Sequence, residues 1–110
     1  MKQYVVDELR PEDHARLKGL LDERYAVEGF DGLYRIFLSD ELLNDRQKTH
    51  PDCKPFYFAL ELMPDRLMCE LLVRTNQRIR CDCIAYASEQ QRNWLIQHVD
   101  QTLADLGISV

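Results

Sequence analysis

The sequence predicts an α+β fold: an antiparallel, mostly meander sheet of about five strands with two long helices packed on one face, in the order β-α-β-(α)-β-β-β-α. Three observations predict it. Residues 56–73 carry two apolar rows at a period of two, separated by a Pro64-Asp65 turn; residues 11–25 and 89–106 carry apolar residues at helical spacing; and short alternating segments lie near residues 5 and 36.

The first strand is expected over 3–8, where Tyr4, Val5 and Val6 favour extended chain. Pro11 then offers the first position of a helix from about 11 to 25, with Glu12 and Asp13 suited to its positive end. Leu17, Leu20, Leu21 and Tyr25 share one side of that helix. The glycines of VEGFDG mark a loop, and LYRIFLS, residues 33–39, alternates as a second strand. Ser39 is placed to cap a short helix over DELLNDRQ, before the irregular THPDCKP.

Phe56, Phe58, Leu60 and Leu62 form one apolar row and Leu67, Cys69, Leu71 and Val73 the other. A two-residue turn would set Leu62 opposite Leu67 and Leu60 opposite Cys69, with both rows on one face. A third strand over 79–87 would turn Ile79, Cys81, Cys83, Ala85 and Ala87 inward and Arg80, Asp82, Ile84 and Tyr86 outward. A three-residue loop, Thr75 to Gln77, keeps that parity and places Cys69 opposite Cys83. Ser88 caps the last helix, whose stripe is Leu95, Val99, Leu103 and Leu106 and whose end is Gly107.

A chain of 110 residues with 45% hydrophobic and 30% charged residues suits one globular domain spanning 1–110. The net charge of −5 is spread along the chain, and Arg74, Arg78 and Arg80 form the only local basic group. Phosphate neutralisation needs clustered cations, so nucleic acid is not an expected partner. No apolar run approaches the length of a membrane span or a signal-peptide core, so a cytoplasmic protein with reduced cysteines and no membrane partner is expected.

The cysteines admit four readings. On a straight strand, Cys81 and Cys83 project about 6.6 Å apart toward the core, whereas two thiolates sharing a zinc must converge to about 4 Å. The first reading is therefore that they pack as small apolar side chains, with no cofactor. The second is a closed zinc site of His50, Cys53, Cys81 and Cys83, in which His50 and Cys53 have a ligand-like spacing of three. The third is a cross-strand Cys69–Cys83 disulfide, and the last a Cys53 nucleophile with His50 as base, for which no oxyanion hole is marked.

The outward face of the three strands mixes Tyr57, Leu72, Ile84 and Tyr86 with Arg74 and Arg80, and two helices cannot cover both faces of the sheet. Trp94 lies away from the apolar stripe of the last helix. Tyrosine, tryptophan and arginine are the residue types that anchor interfaces. The function expected is thus a non-enzymatic protein-interaction module, homodimeric through this open face, with a small zinc-binding protein as the alternative. The layout resembles small sheet-plus-two-helix modules, including secretion-chaperone-like and profilin-like folds; that is a likeness of architecture and carries no function.

Overall fold

The alternation around the Pro64-Asp65 turn produces the centre of the molecule. In the computed structural model, which describes residues 2–75 and 81–109, strands β1 (Gln3–Val6), β2 (Ala26–Val27), β3 (Phe30–Phe37), β4 (Phe56–Met63), β5 (Arg66–Thr75) and β6 (Ala85–Tyr86) form one antiparallel sheet. The strand order is β1-β5-β4-β3-β2, and β6 also pairs with β5. Helices α1 (Pro11–Tyr25) and α3 (Glu89–Asp105) are long; α2 (Asp45–Lys48) is a single turn.

β4 and β5 pair as their apolar rows require, Leu62 with Leu67 and Leu60 with Cys69. The next pair on the helix side is Phe58 with Val73, so two steps along β4 match four along β5. An even excess leaves the side-chain alternation intact, and Leu67, Cys69 and Val73 all remain buried. Leu17 and Leu21 of α1 meet Val99 and Leu103 of α3 over Ile36, Leu60 and Leu67, which places both helices on one face.

The helix ends follow local chemistry. Pro11 opens α1, and Ser88 and Gln91 form a reciprocal capping box on α3. At the other end of α3, Gly107 takes a φ of 73°, its N–H donates to the Ala104 carbonyl and that of Ile108 to Leu103. This is the paired closure that a residue free to adopt positive φ permits.

Several expectations are corrected. VEGFDG is not a plain loop: Val27 pairs with Phe30 across a tight turn, so β2 and β3 make a hairpin. Gly32, at φ 78°, passes so close to β4 that a Cβ would stand 3.2 Å from the Leu62 carbonyl oxygen. Ser39 makes no side-chain cap; residues 40–42 form a 3-10 turn, and the cap belongs to Asn44, whose side chain and that of Gln47 close a capping box on α2. The third strand of the meander is reduced to two residues. β6 pairs Leu72 with Tyr86 and Val73 with Ala85, so Cys69 faces Tyr4 and Leu60, not Cys83. The expectations for Ile79 and Arg80, and the loop residues Asn76 and Gln77, lie outside the described residues.

Trp94 packs against the core, its indole stacked on Phe58 at 6.4 Å and on the His98 ring at 4.9 Å. His98 Nε2 is 2.8 Å from the Tyr25 hydroxyl. Burial, then the charge of Arg24, holds the His98 pKa below its ordinary 6.5. The unfolded chain takes up that proton first as pH falls, so this residue withdraws stability as pH drops below about 6.5. A His98→Gln variant is expected to lose less stability than the parent between pH 7.5 and 5.5 in urea melts; equal losses would reject this role.

Candidate functional site

Two regions hold most of the residues singled out from the sequence: the sheet face opposite the helices, and the junction between residues 44–54 and 81–84; Trp94 lies on α3.

On the open face, strand parity aligns Val5, Met68, Glu61 and Leu33 in one row and Arg74, Tyr57 and Phe37 in another. Tyr57 is only 8% exposed, because Phe37 meets its ring edge-on at 6.1 Å and the Arg35 guanidinium lies 4.7 Å above it. Arg74 forks onto Glu70, with Nε 2.5 Å from Oε1, and Leu72 is half-buried beside Tyr86. Phe37 is 51% and Tyr86 42% exposed; with Val5 and Leu33 they are four of the five large apolar side chains left to solvent among the described residues, Phe30 being the fifth. A shallow depression of about 300 Å³ lies between Phe30, Leu33, Arg35, Tyr57, Ala59 and Arg74. Arg35, Phe37 and Leu33 were missed by the sequence reading, although LYRIFLS places them on alternate positions opposite Tyr34 and Ile36. Ile84 is not on this face; it packs against the core, as Trp94 does from the helix side.

The junction is where the structure departs most from the strand reading. Cys81 to Ile84 form a turn, closed by the Ile84 N–H donating to the Cys81 carbonyl at 3.0 Å. Turning the chain brings Cys81 and Cys83 together, and both meet Cys53 at the end of the 3-10 turn 51–53. The three Sγ atoms lie within 4.8 Å of one another, with Cys53 and Cys81 at 3.7 Å. Cys53 and Cys83 are buried; Cys81, expected in the core, is half-exposed. A ring nitrogen of His50, the Cys81 sulfur and an Asp82 carboxylate oxygen form a second group of the same tightness.

Hydrogen bonds set this geometry. His50 Nδ1 is 2.7 Å from the Arg46 carbonyl oxygen, which can only accept, so Nδ1 carries the proton. Nε2 faces Asp82 Oδ1 at 3.3 Å, and Asp82 also holds Arg46 at 2.5 Å. Beneath the sulfurs, Gln47 Nε2 donates to the Cys83 carbonyl at 3.5 Å and the Thr75 hydroxyl to that of Cys53. Gln91 Nε2 in turn donates to Gln47 Oε1 at 2.9 Å and to the Leu42 carbonyl at 2.8 Å. The two capping boxes are thus bonded to each other in the interior, and they fix residues 42–53 and the 81–84 turn against α3.

Hydrogen bonds from the Cys83 thiol and its backbone N–H lower the Cys81 thiol pKa, with Cys53 and His50 adding to the effect; burial pushes Cys83 up to about 12. Cys69 is also pushed to about 12, by burial first and then by the charge of Asp100. Cys53 and Cys83 share this buried apolar core with it. The register of Cys69, opposite Tyr4 and Leu60, removes the cross-strand pairing on which a Cys69–Cys83 disulfide was expected, and all four cysteines are free.

No described helix is long and apolar enough to cross a membrane. Compared with protein-family models, with curated proteins and with solved structures, the chain matches none.

Proposed function

We propose that this is a non-enzymatic cytoplasmic interaction module that pairs with a second copy of itself through the open sheet face. The observation that carries the reading is the concentration of exposed Val5, Leu33, Phe37 and Tyr86 on the one sheet face that no described helix covers. Scattered apolar residues need no partner, whereas a contiguous set around an aromatic and arginine centre has the make-up of an interface. The face carries both protruding rings and a depression, and both signs of charge in Glu61, Glu70, Arg35 and Arg74. A two-fold contact needs these complementary features on one surface.

Three strands of eight to ten residues, β3, β4 and β5, about 4.8 Å apart, make the body of this face, and β1, β2 and β6, of two to four residues, widen it at the edges. Tyr86 stands on this face with the Lys2 ammonium 5.4 Å from its ring, and Arg74 and Leu72 beside it on β5. Tyr86→Glu and Phe37→Glu are each expected to weaken self-association about tenfold or more, the effect of losing roughly 1.4 kcal/mol at an interface centre. Sedimentation equilibrium over a wide concentration range reads this directly. A parent protein that stays monomeric at several hundred micromolar would overturn the reading.

A further inference from the structure

The geometry points to a zinc site built by Cys53, Cys81 and Cys83, with His50 as the fourth ligand. It is independent of the pairing of sheet faces and would stand if that failed.

The expectation that the thiols merely fill the core rested on a straight strand, which keeps alternate sulfurs too far apart for one ion. The 81–84 turn removes that obstacle. A tetrahedral zinc with bonds of about 2.3 Å holds its sulfurs about 3.8 Å apart; Cys53 and Cys81 stand at 3.7 Å, and all three sulfurs fall within 4.8 Å. Apolar packing gives no reason for three sulfurs from two distant segments to face one another, as the isolated Cys69 illustrates.

His50 is the candidate for the fourth ligand. A ring nitrogen lies within 4.8 Å of the Cys81 sulfur, the one nearest solvent, on the side of Asp82 and not of Cys53 and Cys83, so the ring must swing toward the trio to complete the set. Its Nδ1–H is already committed to the Arg46 carbonyl, the outer hydrogen bond that orients a metal-binding imidazole, and Nε2, which faces Asp82 Oδ1 at 3.3 Å, would exchange that contact for the metal. Three thiolates and one imidazole make a closed set suited to a structural zinc rather than a catalytic one, which keeps a position for water. Such an ion would tie residues 50–53 to the turn that leads into β6, and so would fix the approach of Tyr86 to the sheet.

The test is cobalt(II) and zinc(II) titration of the reduced, metal-free protein, followed by absorption spectroscopy and native mass spectrometry. One metal per chain is expected, with intense visible bands of tetrahedral cobalt and sulfur-to-cobalt charge transfer, bleached by one equivalent of zinc. Cys53→Ser and Cys81→Ser are expected to lose the bands, and Cys69→Ala to keep them. His50→Ala is expected to weaken zinc on the order of tenfold or more, and Asp82→Asn, which removes a neighbour of His50 and Arg46 rather than a ligand, to weaken it less. Cys81→Ser changes a half-exposed residue, and its circular dichroism separates lost binding from lost fold. Absence of a tetrahedral spectrum in the parent, or its persistence in Cys81→Ser, would overturn the site; loss in Asp82→Asn but not in His50→Ala would overturn the assignment of His50.

Discussion

Phe58→Ala is expected to cost about 3–5 kcal/mol of folding stability, the largest effect of any single truncation considered. Phe58 has 0% exposure and stands at the crossing of the sheet and the last helix, paired with Ile36 and Val73 on its flanks and stacked under the Trp94 indole. Removing the ring takes away its transfer energy and leaves a hole whose walls are strands held by backbone hydrogen bonds, which cannot close over it. A domain of this size has roughly 5–15 kcal/mol in all, so the variant should unfold at much lower urea, with the same slope if the cavity is the cause. Trp94 emission should shift in the folded variant as the indole loses the ring beneath it. A loss under about 1.5 kcal/mol would show that this contact does not organise the core.

Gln91→Ala is expected to cost about 2–4 kcal/mol, although alanine is the better helix former. Gln91 is 1% exposed and joins three things at once: the Ser88 N–H at the start of α3, the Leu42 carbonyl, and Gln47 Oε1 of the other capping box. Truncation leaves the Leu42 carbonyl without this donor and removes one of the two donors to Gln47, and a buried polar group left unpaired costs about 1–3 kcal/mol. Gln101→Ala, at an exposed position on the same helix, is the control and should change stability by less than about 0.5 kcal/mol. Equal effects at the two positions would mean that the buried network contributes nothing. Because the network also carries the 81–84 turn, Gln91→Ala should reduce metal affinity as well, which Gln101→Ala should not.

Much of the scaffold was legible because it rests on local chemistry. Pro11 with Glu12 and Asp13, Ser88 with Gln91, and Gly107 each act within a few residues of themselves, and the bounds of α1 and α3 follow from them. Asn44 and Gln47 were equally legible, since the N-x-x-Q spacing of a capping box is present; Ser39 drew attention away from it. The β2–β3 hairpin was not, because Ala26-Val27 is too short to show a period and is extended only by its pairing with Phe30 and Tyr34.

What the sequence alone determined is the alternation of residues 56–75, the two long helices and the face on which Tyr57, Leu72 and Arg74 stand, for each of these follows from spacing along the chain. What only the tertiary structure decided is the fate of Cys81 and Cys83. Their alternation with Ile79, Ala85 and Ala87 is that of a strand, but β1 holds β5 from Leu67 to Glu70, so Cys83 cannot stand opposite Cys69. β6 pairs with Leu72 and Val73 instead, and the chain before it turns rather than continuing along Arg74 and Thr75, which carries the sulfurs to Cys53. That turn is held by the Ile84 N–H on the Cys81 carbonyl and by Gln47 on the Cys83 carbonyl, and a bond to a residue thirty-six positions away leaves no mark on local periodicity.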